Sequence, residues 1–235
     1  MGTLQFFDPF YSESKATRET GEIWYVPCPE VQHAPTILDV GRSSPTEHHH
    51  VSFEICPISP EQHFRESAKN LPIKLLNLKA NEELIVSKGK LRPCVVLAQL
   101  PTVNPEELPD GIQRKQAGHL GNGAYLVAPM YSIAGPNSTG TYMSALVERV
   151  RKLSYLHLFC LPEVKNPEFP RSIVRLDRVF VSHLGCGCKP SKDKVMINDS
   201  PMNMIRTQLS IIYDLPISEE DLSAFEEIKA VIQDS

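Results

Sequence analysis

An arginine and an aspartate stand two residues apart in the last third of the chain and could act together on an anion. The run 173–177 reads Ile-Val-Arg-Leu-Asp, and every second side chain of a strand points to the same face, so Arg175 and Asp177 are predicted to lie side by side. The planar fork of an arginine suits a phosphate group, and a carboxylate can take up a proton. An ordinary surface ion pair, worth less than about 1 kcal/mol, is the competing interpretation.

Histidines and cysteines offer weaker alternatives. Residues 47–50 (Glu-His-His-His), His183 and the pair Cys186 and Cys188 could hold zinc, but Cys-x-Cys is not the usual Cys-x₂-Cys spacing of a zinc knuckle. A nucleophilic cysteine paired with His183 would need a defined base and an orienting group, and the sequence offers neither. Neither glycine-rich nucleotide-binding motif occurs in the chain. We therefore predict no metal and no cofactor.

The elements that must position these residues are mainly strands. Apolar, β-branched or alternating runs predict strands at residues 21–27, 51–55, 92–98, 124–130 and 155–161, and over 172–184 as one long strand or two bent at Asp177 and Arg178. Loops are predicted over 28–50 and 101–122, and helices over 60–70, 141–153 and in two C-terminal segments, the last starting at the capping box of residues 218–221. This order predicts an α+β protein in which helices cover a small barrel or curled sheet.

Composition narrows the class of protein. The chain has 235 residues, of which 41% are hydrophobic, so a packed core is expected. Its net charge of −4 provides no global positive field, so any nucleic-acid site must be a local basic patch. No apolar run is long enough to span a membrane, and residues 1–20 lack the pattern of a signal peptide and suggest a loosely held arm. We expect a cytoplasmic protein whose six cysteines are reduced thiols.

Four segments, in this order along the chain, resemble the PemK/MazF/Kid-like toxins. Residues 21–26 (Gly-Glu-Ile-Trp-Tyr-Val) are similar to the opening strand of that family, and residues 90–93 (Lys-Leu-Arg-Pro) are similar to its Arg-Pro step into a Val-rich strand. Residues 127–132 (Val-Ala-Pro-Met-Tyr-Ser) resemble the strand that ends in Pro-x-Thr-Ser, and residues 173–177 resemble the Val-Val-Arg-x-Asp of the Kid branch. The terminal helix that starts at Ile217-Ser218-Glu219 also fits the family.

The resemblance implies a fold, an activity and roles for six residues. The fold would be an SH3-like barrel with C-terminal helices, usually a homodimer. The activity would be metal-independent cleavage of single-stranded RNA by attack of a 2′-hydroxyl on the phosphate, neutralised by an antitoxin that lies in the RNA groove. In these roles, Asp177 is the base, Arg175 and Arg92 stabilise the phosphate, Ser132 donates a hydrogen bond to it, and Tyr131 and Lys90 bind the substrate.

The chain also departs from the family pattern. Tyr131 stands where the family has a threonine, and it could donate a hydrogen bond, stack on a base or fill the groove. We predict a single domain over 21–235 that follows an arm over 1–20 and carries insertions at 28–88 and 133–170. A barrel that binds RNA or a protein partner without cutting is the alternative function, and an unrelated interaction module is the third.

Overall fold

The computed structural model describes residues 6–7, 9–15, 18–30, 34–42, 50–66, 76–102, 123–133, 142–164, 169–185, 187–192 and 194–234. These residues form an α+β protein that is mainly β. The chain divides into two compact units, one of Met1–Pro27 with Leu91–Ser235 and one of Cys28–Lys90. The strands in the described residues are β1 (Tyr11–Glu13), β2 (Ile23–Pro29), β3 (Thr36–Arg42), β4 (Val51–Pro57), β5 (Ile85–Val86), β6 (Gly89–Gln99), β7 (Tyr125–Ser132), β8 (Leu158–Leu161), β9 (Ser172–Arg175), β10 (Phe180–Ser182), β11 (Lys189–Pro190) and β12 (Val195–Ile197). The helices are α1 (Ser144–Arg151), α2 (Asp199–Ile212) and α3 (Glu219–Gln233).

A seven-stranded sheet organises the larger unit. Its strand order is β11-β2-β6-β7-β9-β8, and β10 also pairs with β7. Strand β7 is antiparallel to β6, β9 and β10, and its apolar sequence is buried over most of its length. The strands predicted near residues 23, 92, 124 and 158 are confirmed. The run 172–184 consists of two strands bent at the position considered from the sequence.

Pro129 explains where that bend falls. Strand β9 pairs with Met130, Tyr131 and Ser132 of β7, and β10 pairs with residues 125–127 of the same strand. Residues 128 and 129 lie between the two ladders, and a proline has no N–H to donate to a neighbouring strand. The chain beside them forms a 3₁₀ turn, Leu176–Arg178, whose first residue is fully buried in the core.

Helices pack against both faces of this sheet. The main core contains Val95, Ala128, Met130 and Val174 from one face, packed with buried residues of α2 and α3 such as Ile205 and Phe225. Ile173 alternates to the other face and forms a smaller cluster with Leu158, Cys160 and Val150 of α1. Both C-terminal helices are confirmed, and Ser218 caps α3 by accepting a hydrogen bond from the Asp221 N–H at 3.0 Å.

The described part of the N-terminal arm is packed, whereas its polar composition suggested a loosely held segment. Phe7 and Phe10 lie in the main core, and β1 pairs with β12. The buried carboxylate of Glu22 accepts hydrogen bonds from the Ser14 hydroxyl, the Arg18 N–H and the Trp24 indole. These aromatic and polar contacts outweigh the polar composition of the segment.

The unit Cys28–Lys90 contains a three-stranded sheet with the order β4-β3-β5. Strand β3 lies in the segment 28–50, which we predicted to be a loop, and its Ile37 and Val40 are buried. The helix predicted over 60–70 is wrong for its described part, residues 60–66. The His63 N–H bonds to the Ser59 carbonyl as in a first helical turn, but Phe64 then adopts a φ of 57° and ends the turn.

Candidate functional site

Tyr131 lies at the centre of a cluster of arginines on the β6–β7–β9 part of the sheet. The guanidinium carbon of Arg92 lies 4.4 Å from the centroid of the Tyr131 ring, a cation–π distance. On the hydroxyl side, Arg178 Nη1 donates a hydrogen bond to the Tyr131 hydroxyl at 3.0 Å, and its guanidinium carbon is 5.5 Å from the same centroid. Two guanidinium groups thus contact one half-buried tyrosine.

The pairing of the strands accounts for this meeting. Cys94 of β6 is opposite Pro129 of β7, so two residues further along the antiparallel pair Arg92 stands level with Tyr131. Arg178 reaches the hydroxyl from the 3₁₀ turn that follows β9. Neither arginine forms an ion pair with a carboxylate of the described residues, so within that part of the chain their charges are not neutralised.

Arg175 and Asp177 form a two-point ion pair next to this cluster. Arg175 Nε donates to Asp177 Oδ1 at 2.7 Å, and Nη2 donates to Oδ2. The expectation that both residues sit on one strand needs correction, because β9 ends at Arg175 and Asp177 lies in the 3₁₀ turn. The turn brings the carboxylate back to the guanidinium, so the side chains meet as the spacing predicted.

The pKa values of the pair move apart. Partial burial opposes ionisation of Asp177, but the hydrogen bonds and charge of Arg175, and to a smaller extent His157, outweigh it and hold the pKa of Asp177 below its ordinary value. The hydrogen bond to Asp177 raises the pKa of Arg175 despite partial burial, and a hydrogen bond to Tyr142 adds to this effect. Both side chains are therefore charged at neutral pH, and Asp177 is a weak proton acceptor while the pair is intact.

Ser132 is not brought into this cluster. Ser132 pairs with Ser172, whereas Tyr131 pairs with Ile173, so strand alternation directs Ser132 to the opposite face of β7 from Tyr131. Its hydroxyl is exposed at the end of the strand. Lys90 is exposed near the start of β6 and belongs to the unit Cys28–Lys90.

The sequence reasoning missed Arg178, Tyr142 and His157. Arg178 directly follows Asp177, and its role depends on the 3₁₀ turn, for which the bend considered at this position was the available signal. Tyr142 precedes α1 and contacts the small cluster on this face, and His157 accepts the Leu176 N–H with its carbonyl just before β8. No local motif marks either residue, because both arrive from elsewhere in the chain.

Within the described ranges, no three His, Cys, Asp or Glu side chains are grouped as metal ligands would be. Residues 47–49 and Cys186, which the zinc alternative invoked, lie outside those ranges. None of the helices in the described part of the chain is long and apolar enough to cross a membrane.

No protein-family model, no curated protein and no solved structure matches this chain. Membership of the PemK/MazF/Kid-like family therefore stays a prediction from the four resembling segments. The arginine cluster around Tyr131 is the feature on which a function can be argued.

The Arg175–Asp177 pair predicts a pH-dependent contribution to stability. Because the pKa of Asp177 is lowered by folding, the pair stabilises the protein above the ordinary value of 3.8, and this contribution is lost as the pH falls through the lower pKa of the folded state. Urea unfolding, followed by the fluorescence of the single, buried tryptophan Trp24, should show wild type more stable than Asp177→Asn at pH 7, with the difference shrinking below pH 3.8.

The control is Glu148→Gln, which removes the exposed, singly hydrogen-bonded pair with Arg151. Its effect on unfolding should be small at neutral pH. A difference between wild type and Asp177→Asn that stays constant down to about pH 2 would contradict the lowered pKa.

Proposed function

We propose that this protein binds single-stranded RNA on the face of β6, β7 and β9 that carries Tyr131. The observation that carries the proposal is one half-buried tyrosine held by two guanidinium groups, Arg92 and Arg178, without a carboxylate partner among the described residues. Such a surface offers charge for phosphates and flat groups for bases, which is what a single strand presents.

The electrostatics of the cluster favour a polyanion. Three guanidinium groups meet one carboxylate there, so the local charge is positive although the whole chain is acidic, at −4. Arginine forks bind phosphate oxygens through paired hydrogen bonds and also stack on bases. Because Arg92 already covers a face of the Tyr131 ring, a base would stack on the exposed side of the Arg92 guanidinium or displace it from the ring.

The resemblance to PemK/MazF/Kid-like toxins supports the same class of ligand. With it we propose the finer features that the family implies, namely an SH3-like barrel, a homodimer, an antitoxin partner and a cytoplasmic location. Lys90 and Tyr131 keep the proposed role in binding RNA. The substitution of tyrosine for the family threonine favours binding over catalysis, since the Tyr131 hydroxyl already accepts a hydrogen bond from Arg178.

Metal-independent cleavage of RNA is the second candidate, and the Arg175–Asp177 pair favours it. The two side chains could stabilise a phosphate and accept the 2′-hydroxyl proton, but Asp177 must first leave Arg175 to act as a base. A phosphate that binds Arg175 would compete for the same donors and release the carboxylate. Ser132 is directed to the other face of β7, so its hydroxyl would not reach a phosphate bound on the Tyr131 face.

RNA affinity and its salt dependence test the binding proposal. In fluorescence-anisotropy titrations of an unstructured oligoribonucleotide, Arg92→Ala and Arg178→Ala should each weaken binding about tenfold and lower the slope of log K against log salt by about 0.7, one phosphate contact on a single strand. Both side chains lie at the Tyr131 ring, so the double variant should lose more affinity than either single variant.

Arg206→Ala is the matched control, because Arg206 is an exposed arginine of α2 that bonds only to the neighbouring Asn203 among the described residues. Its removal changes the net charge equally and should leave the affinity almost unchanged. Equal losses in all three arginine variants would show non-specific charge attraction, and a wild type that binds no RNA at low salt would refute the proposal.

Cleavage in the presence of EDTA tests the second candidate. If the second candidate is right, wild type cuts a long, mixed-sequence single-stranded RNA into discrete fragments without a metal ion, and Asp177→Asn abolishes cutting while it keeps or strengthens binding, because Arg175 is then free for phosphate. Binding without fragments would leave RNA binding as the function. Fragments that persist in Asp177→Asn would show that Asp177 is not the base.

A further inference from the structure

The unit Cys28–Lys90 contains a cysteine and a histidine in contact. Cys56, in β4, has its Sγ 3.7 Å from Nε2 of His63. Nδ1 of the same ring accepts the Ser59 N–H at 2.9 Å. The two residues are seven apart in the sequence, and no motif in the sequence had paired them.

The turn after β4 holds His63 through hydrogen bonds to both its backbone and its imidazole ring. The His63 N–H donates to the Ser59 carbonyl at 2.8 Å while the Ser59 N–H donates back to Nδ1. Pro60 suits the first inner position of such a turn, and the positive φ of Phe64, 57°, ends it. The ring is therefore held against the sulfur by the backbone itself.

These contacts assign the position of the imidazole proton. Because Nδ1 accepts a hydrogen bond from a backbone N–H, a neutral ring must carry its proton on Nε2, the nitrogen that faces Cys56. The N–H therefore points at the sulfur and cannot serve as a proton acceptor for it. A donor in this position can hydrogen-bond an anionic oxygen that develops beside the sulfur during its oxidation.

Burial sets most of the other described cysteines apart from Cys56. Cys28, Cys94 and Cys160 are buried, and burial raises the pKa of Cys160 to about 11. Cys188 is half-buried like Cys56, but its sulfur faces the His183 carbonyl at 3.6 Å, an acceptor, and not a ring N–H. Cys188 is thus a natural comparison for Cys56 within the same chain.

We propose that Cys56 is a nucleophilic thiol that peroxides oxidise, with His63 as the hydrogen-bond donor at its sulfur. In this step the sulfur attacks one peroxide oxygen, an S–O bond forms as the O–O bond breaks, and the sulfur loses two electrons. Hydrogen peroxide then gives a sulfenic acid and water, with the thiol proton ending on the departing oxygen. The site is independent of the RNA proposal, so either can fail without the other.

The test measures sulfenic acid formation at each cysteine. Folded protein carrying Cys186→Ser, which leaves Cys188 as the single cysteine of its tryptic peptide, is exposed to limiting hydrogen peroxide and trapped with dimedone. Peptide mass spectrometry should show Cys56 labelled about tenfold faster than Cys188.

Two substitutions of His63 separate the hydrogen bond to sulfur from the support of the turn. His63→Asn retains an acceptor near the place of Nδ1 for the Ser59 N–H but offers no donor to Sγ, so labelling of Cys56 should fall to the rate of Cys188. His63→Gln places an amide N–H near the former Nε2 and should retain most of the rate.

Cys28, buried in the same unit, reports unfolding, because its labelling should remain slow in every folded variant. If His63→Asn exposes Cys28, that variant is set aside. The labelling rates of Cys56 and Cys188 in the Cys186→Ser protein, with and without His63→Gln, then test the proposal. Equal rates for Cys56 and Cys188 in the parent, or a fast Cys56 that is unaffected in a folded His63→Asn variant, would overturn the proposal.

Discussion

Pro129 stands within β7, the strand that pairs with β6, β9 and β10, and it has no N–H to donate. At its level the pairing with the chain after β9 is interrupted, and that chain forms the 3₁₀ turn Leu176–Arg178. The turn is anchored by the buried Leu176, whose carbonyl accepts the Tyr213 hydroxyl at 3.0 Å. A straight strand through these positions would direct Asp177 and Arg178 to opposite faces, and the cluster around Tyr131 would not form.

Charge and burial together give this face its character. Apolar clusters pack on both faces of the sheet, so the strands that carry the arginines form a rigid support. Arg175 is neutralised by Asp177, whereas Arg92 and Arg178 are held by the aromatic ring and hydroxyl of Tyr131. An aromatic ring orients a guanidinium without cancelling its charge, which leaves these two groups able to bind an anion.

The sequence predicted the α+β class, most strands of the large sheet and both terminal helices, because these elements carry continuous apolar patterns. The nearness of Arg175 and Asp177 was also predicted from their spacing, although Asp177 lies in the 3₁₀ turn and not on the strand. The site as a whole was not, since Arg178 depends on an interrupted ladder and Tyr142 and His157 arrive from distant segments. The packed N-terminal arm and strand β3 were missed because a few buried side chains, such as Phe10 and Ile37, decide them against a polar composition. The helix predicted after Pro60 fails for a local reason, the positive φ of Phe64.

Ultraviolet crosslinking of the protein to a single-stranded RNA, with the attachment point located by peptide mass spectrometry, tests the central claim most directly. The account predicts that the main crosslink lies on Tyr131, the aromatic ring between Arg92 and Arg178. Crosslinks confined to the unit Cys28–Lys90, or to the other face of the sheet, with Tyr131 unmodified, would contradict it.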